Sequence, residues 1–377
     1  MQFSQVIGQE EIKERLRHAF REGRIAHALM FLGPEGSGNL ALALAFAQYI
    51  SCKNRNESDS CGVCSACKKI SDLQFADMYF TFPYFNKTDS IEEKTTCNDW
   101  IKEWRAHLAN SAYTTIEQWR NDLTNDNKHL NISVGEASNV IHHLALKSFD
   151  GGFKFQIIWM AEYLKPETAN KLLKIIEEPP SNTIFMMVAN SMENILPTIL
   201  SRVQTIYIPK IDDNDITQSL MQLGTTQETA KQIAHFAHGD WNKALMLLHS
   251  KNPDEQYANQ FQFWMRMCYR KDVPGIIKWA DEMHKLSREE QKSFLGYALD
   301  QVRQNLVMNY AGEDFVRLNS GEKMFADKFA PYINDLNAEE LMEELTESHR
   351  DISRNVYSKL VFTDMSFRLH YQLTRKA

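Results

Sequence analysis

The chain has 377 residues, of which 43% are hydrophobic, and it carries a formal net charge of −7. This length exceeds what one core usually organises and predicts two or three domains. The acidic balance argues against a free-standing nucleic-acid-binding protein, and no apolar run is long enough for a membrane span or an export signal, so we expect a cytoplasmic protein.

The first elements surround a glycine-rich loop. An amphipathic helix is predicted over residues 9–22 and a strand over 28–32, and a second helix is predicted over 41–50. A strand, a glycine-rich turn and a helix in this order are typical of a phosphate-binding loop, whose backbone N–H groups hold phosphates. The candidate nucleotide-binding residues of this loop are Gly33, Gly36, Gly38 and Asn39.

The loop lacks two side chains that phosphate chemistry requires. Asn39 and Leu40 stand where the motif has a lysine followed by serine or threonine. The cation for the outer phosphates and the hydroxyl for Mg²⁺ are therefore both missing. The sequence predicts a nucleotide-binding fold that does not hydrolyse nucleotide, and an ordinary glycine-rich turn is the alternative.

Four of the six cysteines follow within sixteen residues and have the spacing Cys52-x8-Cys61-x2-Cys64-x2-Cys67. Four thiolates at such spacing can surround a tetrahedral Zn²⁺ with Zn–S distances of about 2.3 Å. They would complete the coordination shell, so we expect a structural zinc site in a reducing compartment. Four unrelated thiols are the alternative interpretation.

The pattern up to residue 210 predicts an α/β domain. Further strands are expected over 77–83, 155–161, 183–189 and 203–208, and helices over 133–145 and 167–177. Ser133 and Glu136 have the spacing of a capping box. Together these elements predict a doubly wound parallel sheet.

Residues 84–131 are polar and interrupt this domain as an expected surface insertion. Its scattered aromatic residues either pack onto the domain, which is the favoured interpretation, or hold a partner. They are Trp100, Trp104, Tyr113 and Trp119.

Helical periodicity dominates after residue 210. Residues 211–250 contain three short helical stretches, at 216–223, 226–238 and 241–248. Residues 251–377 contain longer ones, at 255–269, 274–284, 289–309 and 352–373, the last with Val356 among its apolar residues. We therefore predict three domains, at 1–210, 211–250 and 251–377.

Glu177 and Glu178 end the helix predicted over 167–177. Negative charge at that end opposes the helix dipole, so helix stability does not explain these two residues. We therefore expect them, or the turn that they form with Pro179 and Pro180, to face a basic surface on a partner subunit or on DNA.

Several motifs resemble those of clamp-loader AAA+ proteins, in particular the delta-prime subunits of bacterial DNA polymerase III. The resemblance covers most of residues 3–250, and its most specific parts are the cysteine spacing and the run that ends in Glu-Glu-Pro-Pro. The motifs are Val6–Glu10, His27-Ala28, the loop at Gly33, the four cysteines, Asn170–Pro180 and Ile199–Arg202. The resemblance implies an AAA+ core, a helical lid at 211–250 and a helical collar at 251–377 that joins a ring.

The resemblance also implies roles for individual residues. Cys52, Cys61, Cys64 and Cys67 would be the zinc ligands. Ser201-Arg202-Val203 stands at the Ser-Arg-Cys motif, so Arg202, with Ser201 beside it, would reach the nucleotide of a neighbouring ATPase subunit. The alternative for Arg202 is a surface arginine that caps a helix C-terminus.

The departures from the family concern the chemistry of hydrolysis. The acidic pair that holds Mg²⁺ and activates water falls on Trp159 and Met160, and Glu162 is the nearest acid. Asn190 stands at a polar sensor position, while the second sensor arginine falls on Asn242. Since these groups are lost together, the resemblance implies a ring member that assists hydrolysis without performing it.

The expected function is that of a non-hydrolysing subunit of the DNA polymerase III clamp loader, with a structural Zn²⁺ and no hydrolysis of ATP of its own. Its partners would be the ATPase subunits and a delta-type subunit in a hetero-oligomeric ring, with the sliding clamp and primed DNA contacted through the complex and no membrane involved. One alternative is an active AAA+ ATPase with divergent motifs that uses Glu162. The other is a zinc-containing DNA-binding module.

Overall fold

The computed structural model describes residues 1–86, 95–124, 129–149, 151–249, 253–286, 288–312, 315, 316, 318, 320–354 and 356–375. The chain forms two compact units, Met1–His249 and Ser250–Ala377. The three-domain division at residues 210 and 250 stays a prediction. Residues 87–94 and 125–128 of the expected insertion lie outside the described residues.

The first unit is built on a five-stranded parallel sheet, as the sequence predicts. The strand order is β2-β3-β4-β1-β5, and every residue of β1, β3 and β4 is buried. Inner strands of a parallel sheet are covered on both faces, which explains their continuous apolar runs. The strands are β1 Ala28–Leu32, β2 Met78–Thr81, β3 Lys154–Trp159, β4 Thr183–Ala189 and β5 Gln204–Tyr207.

Helices cover both faces of this sheet. Leu29 and Phe31 of β1 pack into one core and Ala28, Met30 and Leu32 into the other, because successive side chains of a strand alternate. The helices of this part are α1 Glu10–Arg21, α2 Asn39–Ser51, α3 Ser65–Ser71, α4 Ile101–Asn110, α5 Ile116–Leu123, α6 Val134–Ala145, α7 Pro166–Glu177 and α8 Pro197–Leu200.

Residues 95–124 are part of the core of this unit. Trp104 is fully buried, and its ring stacks on Phe82 of the chain after β2 with centroids 4.5 Å apart. It also contacts Trp159 at the end of β3, with centroids 4.9 Å apart. The favoured interpretation, in which the aromatic residues pack onto their own domain, is therefore confirmed for Trp100, Trp104, Tyr113 and Trp119.

The capping box predicted for α6 does not form. Ser133 occupies the N-cap position without a side-chain capping bond, and its hydroxyl instead lies 2.7 Å from the Tyr84 hydroxyl. Glu136 is buried and accepts from the N–H of Cys97 at 2.9 Å. Tertiary hydrogen-bond partners at Tyr84 and Cys97 have thus replaced the local ones.

Three further helices complete the first unit, close to the predicted positions. They are α9 Asp213–Gln222, α10 Gln227–Ala237 and α11 Trp241–His249. Their apolar residues join the core that contains α2, and Ile216, Leu220, Ala230 and Ala234 are fully buried there.

The second unit consists of helices around an aromatic core. Trp264 and Trp279 stack with centroids 4.8 Å apart, and Phe294 and Phe362 pack beside them. The described residues after β5 form no further strand, in agreement with the sequence. The helices are α12 Pro253–Arg270, α13 Val273–Lys285, α14 Arg288–Ala311, α15 Ser320–Phe329, α16 Ala338–Ser353 and α17 Ser358–Leu373.

The single helix predicted over 352–373 was wrong at its start. Ile352 belongs to the last turn of α16, and Val356 lies in the connection before α17. The Arg288 guanidinium donates to the carbonyls of Ile352 and Val356 at 2.8 and 3.4 Å, so a distant side chain satisfies carbonyls that a continuous helix would pair. In the described part of the chain, no helix has the length and apolarity needed to cross a bilayer.

Replacement of Trp104 by alanine tests whether residues 95–124 belong to the core. Removing this fully buried ring leaves a cavity, which typically costs about 3–5 kcal/mol of the free energy of unfolding. Urea unfolding of the full chain should show this loss in the transition of the first unit. Phe149→Ala is the control, because Phe149 is 77% exposed. Equal stability of the two variants would contradict a core role.

Candidate functional site

The loop between β1 and α2 has the backbone of a phosphate-binding loop. Gly36 and Gly38 have φ values of +75° and +93°, in the left-handed region that favours glycine. The first residue of α2, Asn39, follows Gly38 directly. A helix N-terminus behind such a loop is a suitable place for an anion.

The Asn39 side chain turns back onto the loop. Its Nδ2 donates to the carbonyl of Gly33 at 2.6 Å, and its Oδ1 accepts from the Ser37 hydroxyl at 2.9 Å. Asn39 is only 6% exposed, and Leu40 packs into the core at 3%. The two positions that would supply a cation and a Mg²⁺ ligand therefore serve the packing of the loop itself.

Side chains from two other segments lie against the loop glycines. The Tyr113 ring is 3.1 Å from the place that a Cβ on Gly38 would take, and a Cβ on Gly36 would collide with the Asp240 carboxylate. The N–H of Trp241 donates to the carbonyl of Gly36 at 3.2 Å. The cavity left beside the loop measures about 20 Å³, which is room for about one water molecule.

Tyr113 connects three parts of the first unit. Its hydroxyl accepts from the N–H of Ile7 at 2.8 Å, its ring faces Gly38, and its centroid lies 6.4 Å from that of Trp241 in α11. Burial raises the pKa of Tyr113, so the phenol stays neutral. One residue of the expected insertion thus links the N-terminal segment, the loop and α11.

A buried hydrogen-bonded chain fixes the residue after Tyr113. The hydroxyl of Thr114 pairs with Nε2 of His107, and Nδ1 of His107 lies 2.5 Å from the Asp122 carboxylate. Burial lowers the pKa of His107 against the opposing effect of Asp122, so the neutral ring donates to Asp122 and accepts from Thr114. The order of groups matches a nucleophile–base–acid triad, but Thr114 lines the 20 Å³ cavity, which has room for about one water molecule.

Among the residues that the structure describes, the sheet edge next to the loop carries no acidic pair. Trp159 packs against Trp104, and Met160 follows it with a left-handed φ of +55°. Glu162 is largely buried, and its Oε1 accepts from the N–H of Asn190 at 2.9 Å. Burial raises the pKa of Glu162. This acid therefore holds the end of β4 in place.

Asp240 caps the start of α11. Its Oδ1 accepts from the N–H groups of Asn242 and Lys243 at 2.8 and 3.2 Å, and burial raises the pKa of its carboxyl group. Asn242, at the position of a sensor arginine, supplies no cation. The carboxyl group that lies against Gly36 offers a phosphate no countercharge.

The four cysteines come together into one cluster. Their sulfur atoms all lie within 4.8 Å of one another, and those of Cys61 and Cys67 are 3.9 Å apart. A Zn²⁺ with four sulfurs at about 2.3 Å has sulfur–sulfur edges of about 3.8 Å. All four thiols are free, and Cys52 and Cys67 are buried. The donor set therefore fits a closed tetrahedral metal site.

The electrostatics around the cluster favour a thiolate at Cys64. Burial raises the pKa of this thiol, but N–H groups of Cys67 and Lys53 outweigh that effect and lower the pKa to about 6. Thiolates are the form that binds metal. The segment is also fixed to α2, since the Arg55 guanidinium donates to the carbonyls of Tyr49 and Ile50 at 2.9 and 3.0 Å.

Arg202 lies between α8 and β5, and about one third of its side chain is exposed. Its Nη1 donates to the carbonyl of Thr198 at 3.0 Å and to the hydroxyl of Ser201 at 3.3 Å. Its Nε donates to Glu177 at 2.7 Å. In the isolated chain Arg202 thus caps the short helix α8, as the alternative interpretation expects, and part of the guanidinium still reaches the surface.

The basic partner of Glu177 lies within the chain. Glu177 pairs with Arg202 and remains more than half exposed, so the expectation that it faces another subunit or DNA stays a prediction. An exposed ion pair contributes about 0–1 kcal/mol, while the opposed helix dipole costs about 0.3–1 kcal/mol. The pair therefore adds little to the stability of the fold.

Sequence reasoning missed the residues that fill the loop. Tyr113 lies in a polar stretch without periodicity, so no local signal connects it with Gly38, 75 residues earlier. The sequence did indicate a capping role for Asp240, because an aspartate between Gly239 and a helical run is a typical N-cap. The pairing of Glu177 with Arg202 depends on the approach of α7 and α8.

Comparison with known proteins gives consistent matches to DNA polymerase III subunits. The gamma subunit of Buchnera aphidicola is 27% identical over 264 residues, which is 68% of this chain and 61% of that protein. The tau subunit of Bacillus subtilis is 26% identical over 252 residues, which is 65% of this chain and 37% of that protein. The chain thus spans less than two thirds of the length of these relatives.

A solved structure and a family model complete the comparison. A gamma-subunit-related protein of DNA polymerase III from Thermotoga maritima has a TM-score of 0.38 and 12% identity, over 97% of this chain and 100% of that one. A family model described as DNA polymerase III, delta subunit, matches residues 8–212. Because this match spans more than half of the chain, the protein belongs to the DNA polymerase III delta-subunit family of clamp-loader proteins.

Proposed function

We propose that this protein is a non-hydrolysing, delta-prime-type subunit of the DNA polymerase III clamp loader. It would join ATPase subunits and a delta-type subunit in a hetero-oligomeric ring in the cytoplasm, and it would help to load the sliding clamp on primed DNA. The observation that carries the proposal is the filled phosphate loop of a chain that keeps Ser201 and a partly exposed Arg202.

The filled loop supports the absence of hydrolysis. A nucleoside triphosphate would have to displace the Tyr113 ring and the Asp240 carboxylate from the loop glycines, because the remaining cavity holds about one water molecule. Without a lysine or a carboxylate pair, phosphate and Mg²⁺ would gain little there. Gly33, Gly36, Gly38 and Asn39 are then remnants of a nucleotide site that now have a structural role.

The partial exposure of Arg202 supports a role in ATP hydrolysis on a neighbouring subunit. When water attacks the γ-phosphorus of ATP and the bond to the β–γ bridging oxygen breaks, negative charge spreads over the transferred phosphoryl group. A guanidinium supplied in trans neutralises that charge, and Ser201 would help to hold the guanidinium through its bond to Nη1. Arg202 would thus act on ATP that is bound by another subunit.

The cysteine cluster supports a structural Zn²⁺. Cys52, Cys61, Cys64 and Cys67 would hold the ion and leave no position open for water, so the ion would bring folding energy and no reaction chemistry. Structural zinc contributes on the order of 10 kcal/mol in small modules. Here it would fix the segment between α2 and α3.

Two alternatives differ in what they predict for the isolated chain. An active ATPase would need Glu162 as its base, yet this acid holds the N–H of Asn190 and is largely buried. An independent zinc DNA-binding module would need a basic surface, yet the chain has a net charge of −7. ATP turnover and DNA binding of the isolated chain separate these alternatives from the proposal.

The zinc site predicts one bound Zn²⁺ per chain. Cys64→Ser should lose the ion, because three thiolates and a hydroxyl no longer close the tetrahedron. Elemental analysis of purified protein measures this, and Cys268→Ser is the control, since Cys268 is buried in the second unit. Full zinc content in the Cys64→Ser protein would contradict the site. Circular dichroism should show that the sheet domain remains folded.

The filled loop predicts that ATP does not bind the isolated chain. Added ATP should leave its melting temperature unchanged, because only a ligand that binds the folded state raises it. Asn39→Lys should behave in the same way, since Tyr113 and Asp240 still fill the loop, and it should show no turnover, since Trp159 and Met160 still supply no carboxylate. An ATPase assay completes the test. Turnover by the wild-type chain that Glu162→Gln abolishes would favour the active-ATPase alternative.

The trans-acting arginine predicts a partial loss of activity in the assembled complex. An arginine finger is worth roughly 10³–10⁵ in turnover at the site it serves, and a ring has several such sites. Arg202→Ala should therefore lower the ATPase and clamp-loading rates without changing zinc content or assembly. Arg202→Lys should restore little, because lysine lacks the planar fork. Full ATPase activity of the Arg202→Ala complex would leave Arg202 with its capping role alone.

A further inference from the structure

Two of the three nitrogen atoms of the Arg202 guanidinium are engaged within its own chain. Glu177 at the end of α7 accepts from Nε at 2.7 Å, and the carbonyl of Thr198 in α8 accepts from Nη1 at 3.0 Å. The two acceptors come from different helices, and they fix both the position and the plane of the guanidinium. Among the described residues, none accepts from Nη2.

This arrangement leaves a defined part of the guanidinium for another molecule. An arginine has five N–H donors in a rigid plane. With Nε and Nη1 engaged, the N–H groups of Nη2 remain, and about one third of the side chain is exposed. A phosphate oxygen could accept from Nη2 without breaking either intramolecular bond.

The contribution of the pair to stability does not explain why Glu177 lies there. An exposed ion pair is weak, and a carboxylate at a helix C-terminus opposes the helix dipole. An intramolecular bond that fixes the arginine side chain can, however, favour its later contact with another molecule. A long side chain that is already ordered loses less conformational entropy when it forms a new contact.

We infer that Glu177 is a positioning residue for Arg202: it orders the guanidinium so that Nη2 points to the phosphoryl group of ATP in the neighbouring subunit. This inference rests on the proposed function of Arg202. Glu177 itself does not touch ATP, and it acts through the bond from Nε. It should therefore affect turnover at the shared site and leave the affinity of the complex for ATP unchanged.

The test uses the full-length chain assembled with the ATPase subunits of its own clamp loader, and it compares kcat and KM for ATP in the presence of clamp and primed DNA. Glu177→Ala should lower kcat, with KM unchanged, by at least about half of the loss caused by Arg202→Ala. Glu177→Gln should retain more activity, because its amide oxygen still accepts from Nε. Glu167→Ala, which removes an exposed carboxylate in the first turn of the same helix, should match the wild type. Glu178→Ala tests whether the end of α7 contacts a partner directly.

The double variant separates the inference from the proposed function. If Glu177 acts only through Arg202, Glu177→Ala combined with Arg202→Ala should have the activity of Arg202→Ala alone. Reduced activity of Arg202→Ala together with full activity of Glu177→Ala would overturn this inference alone. Equal losses in Glu177→Ala and Glu178→Ala, or additive losses in the double variant, would show a direct contact with a partner and would also overturn it. Full activity of Arg202→Ala would overturn both this inference and the proposed role of Arg202 as an arginine finger.

Discussion

The contact of Tyr113 and Asp240 with the glycines of the β1–α2 loop is the interaction on which the first unit depends. Glycines at positive φ let a backbone approach phosphates closely, and here the same freedom lets side chains of the chain itself approach. Tyr113 also binds the N–H of Ile7 and faces Trp241, while Asp240 caps α11. The loop is therefore a junction between the sheet, the N-terminal segment and α9–α11.

A contact within the chain and a bound nucleotide differ in how their stabilising effect depends on ligand concentration. Ligand binding stabilises a protein in proportion to ligand concentration, and release of the ligand removes that stabilisation. Tyr113 and Asp240 are covalently part of the chain, so the junction does not vary with the supply of ATP. In the proposed function, a fixed junction would suit a subunit that presents Arg202 in one position while ATP is bound and hydrolysed on other subunits. The ion pair of Glu177 and Arg202 also forms within the chain, so it too does not depend on a ligand concentration.

Several differences between expectation and structure have one physical cause. Ser133 and Glu136 have the spacing of a capping box, but Tyr84 and Cys97 offer them tertiary partners. Arg202, 25 residues after Glu177, offers that carboxylate a basic partner within the chain that the local pattern did not indicate. Local pattern rules describe what neighbours in sequence can do. They fail where a distant residue offers a partner that is equally good and is held in place by packing.

The sequence by itself determined the parallel sheet, most helix positions and the grouping of Cys52, Cys61, Cys64 and Cys67, because periodicity and short spacing are local properties of a chain. It also showed which chemical groups the loop lacks, since a missing lysine or carboxylate can be read residue by residue. Only the tertiary structure decided what replaced them. Tyr113 meets Gly38 across 75 residues and Asp240 meets Gly36 across 204, and contacts over such separations depend on how the whole unit packs.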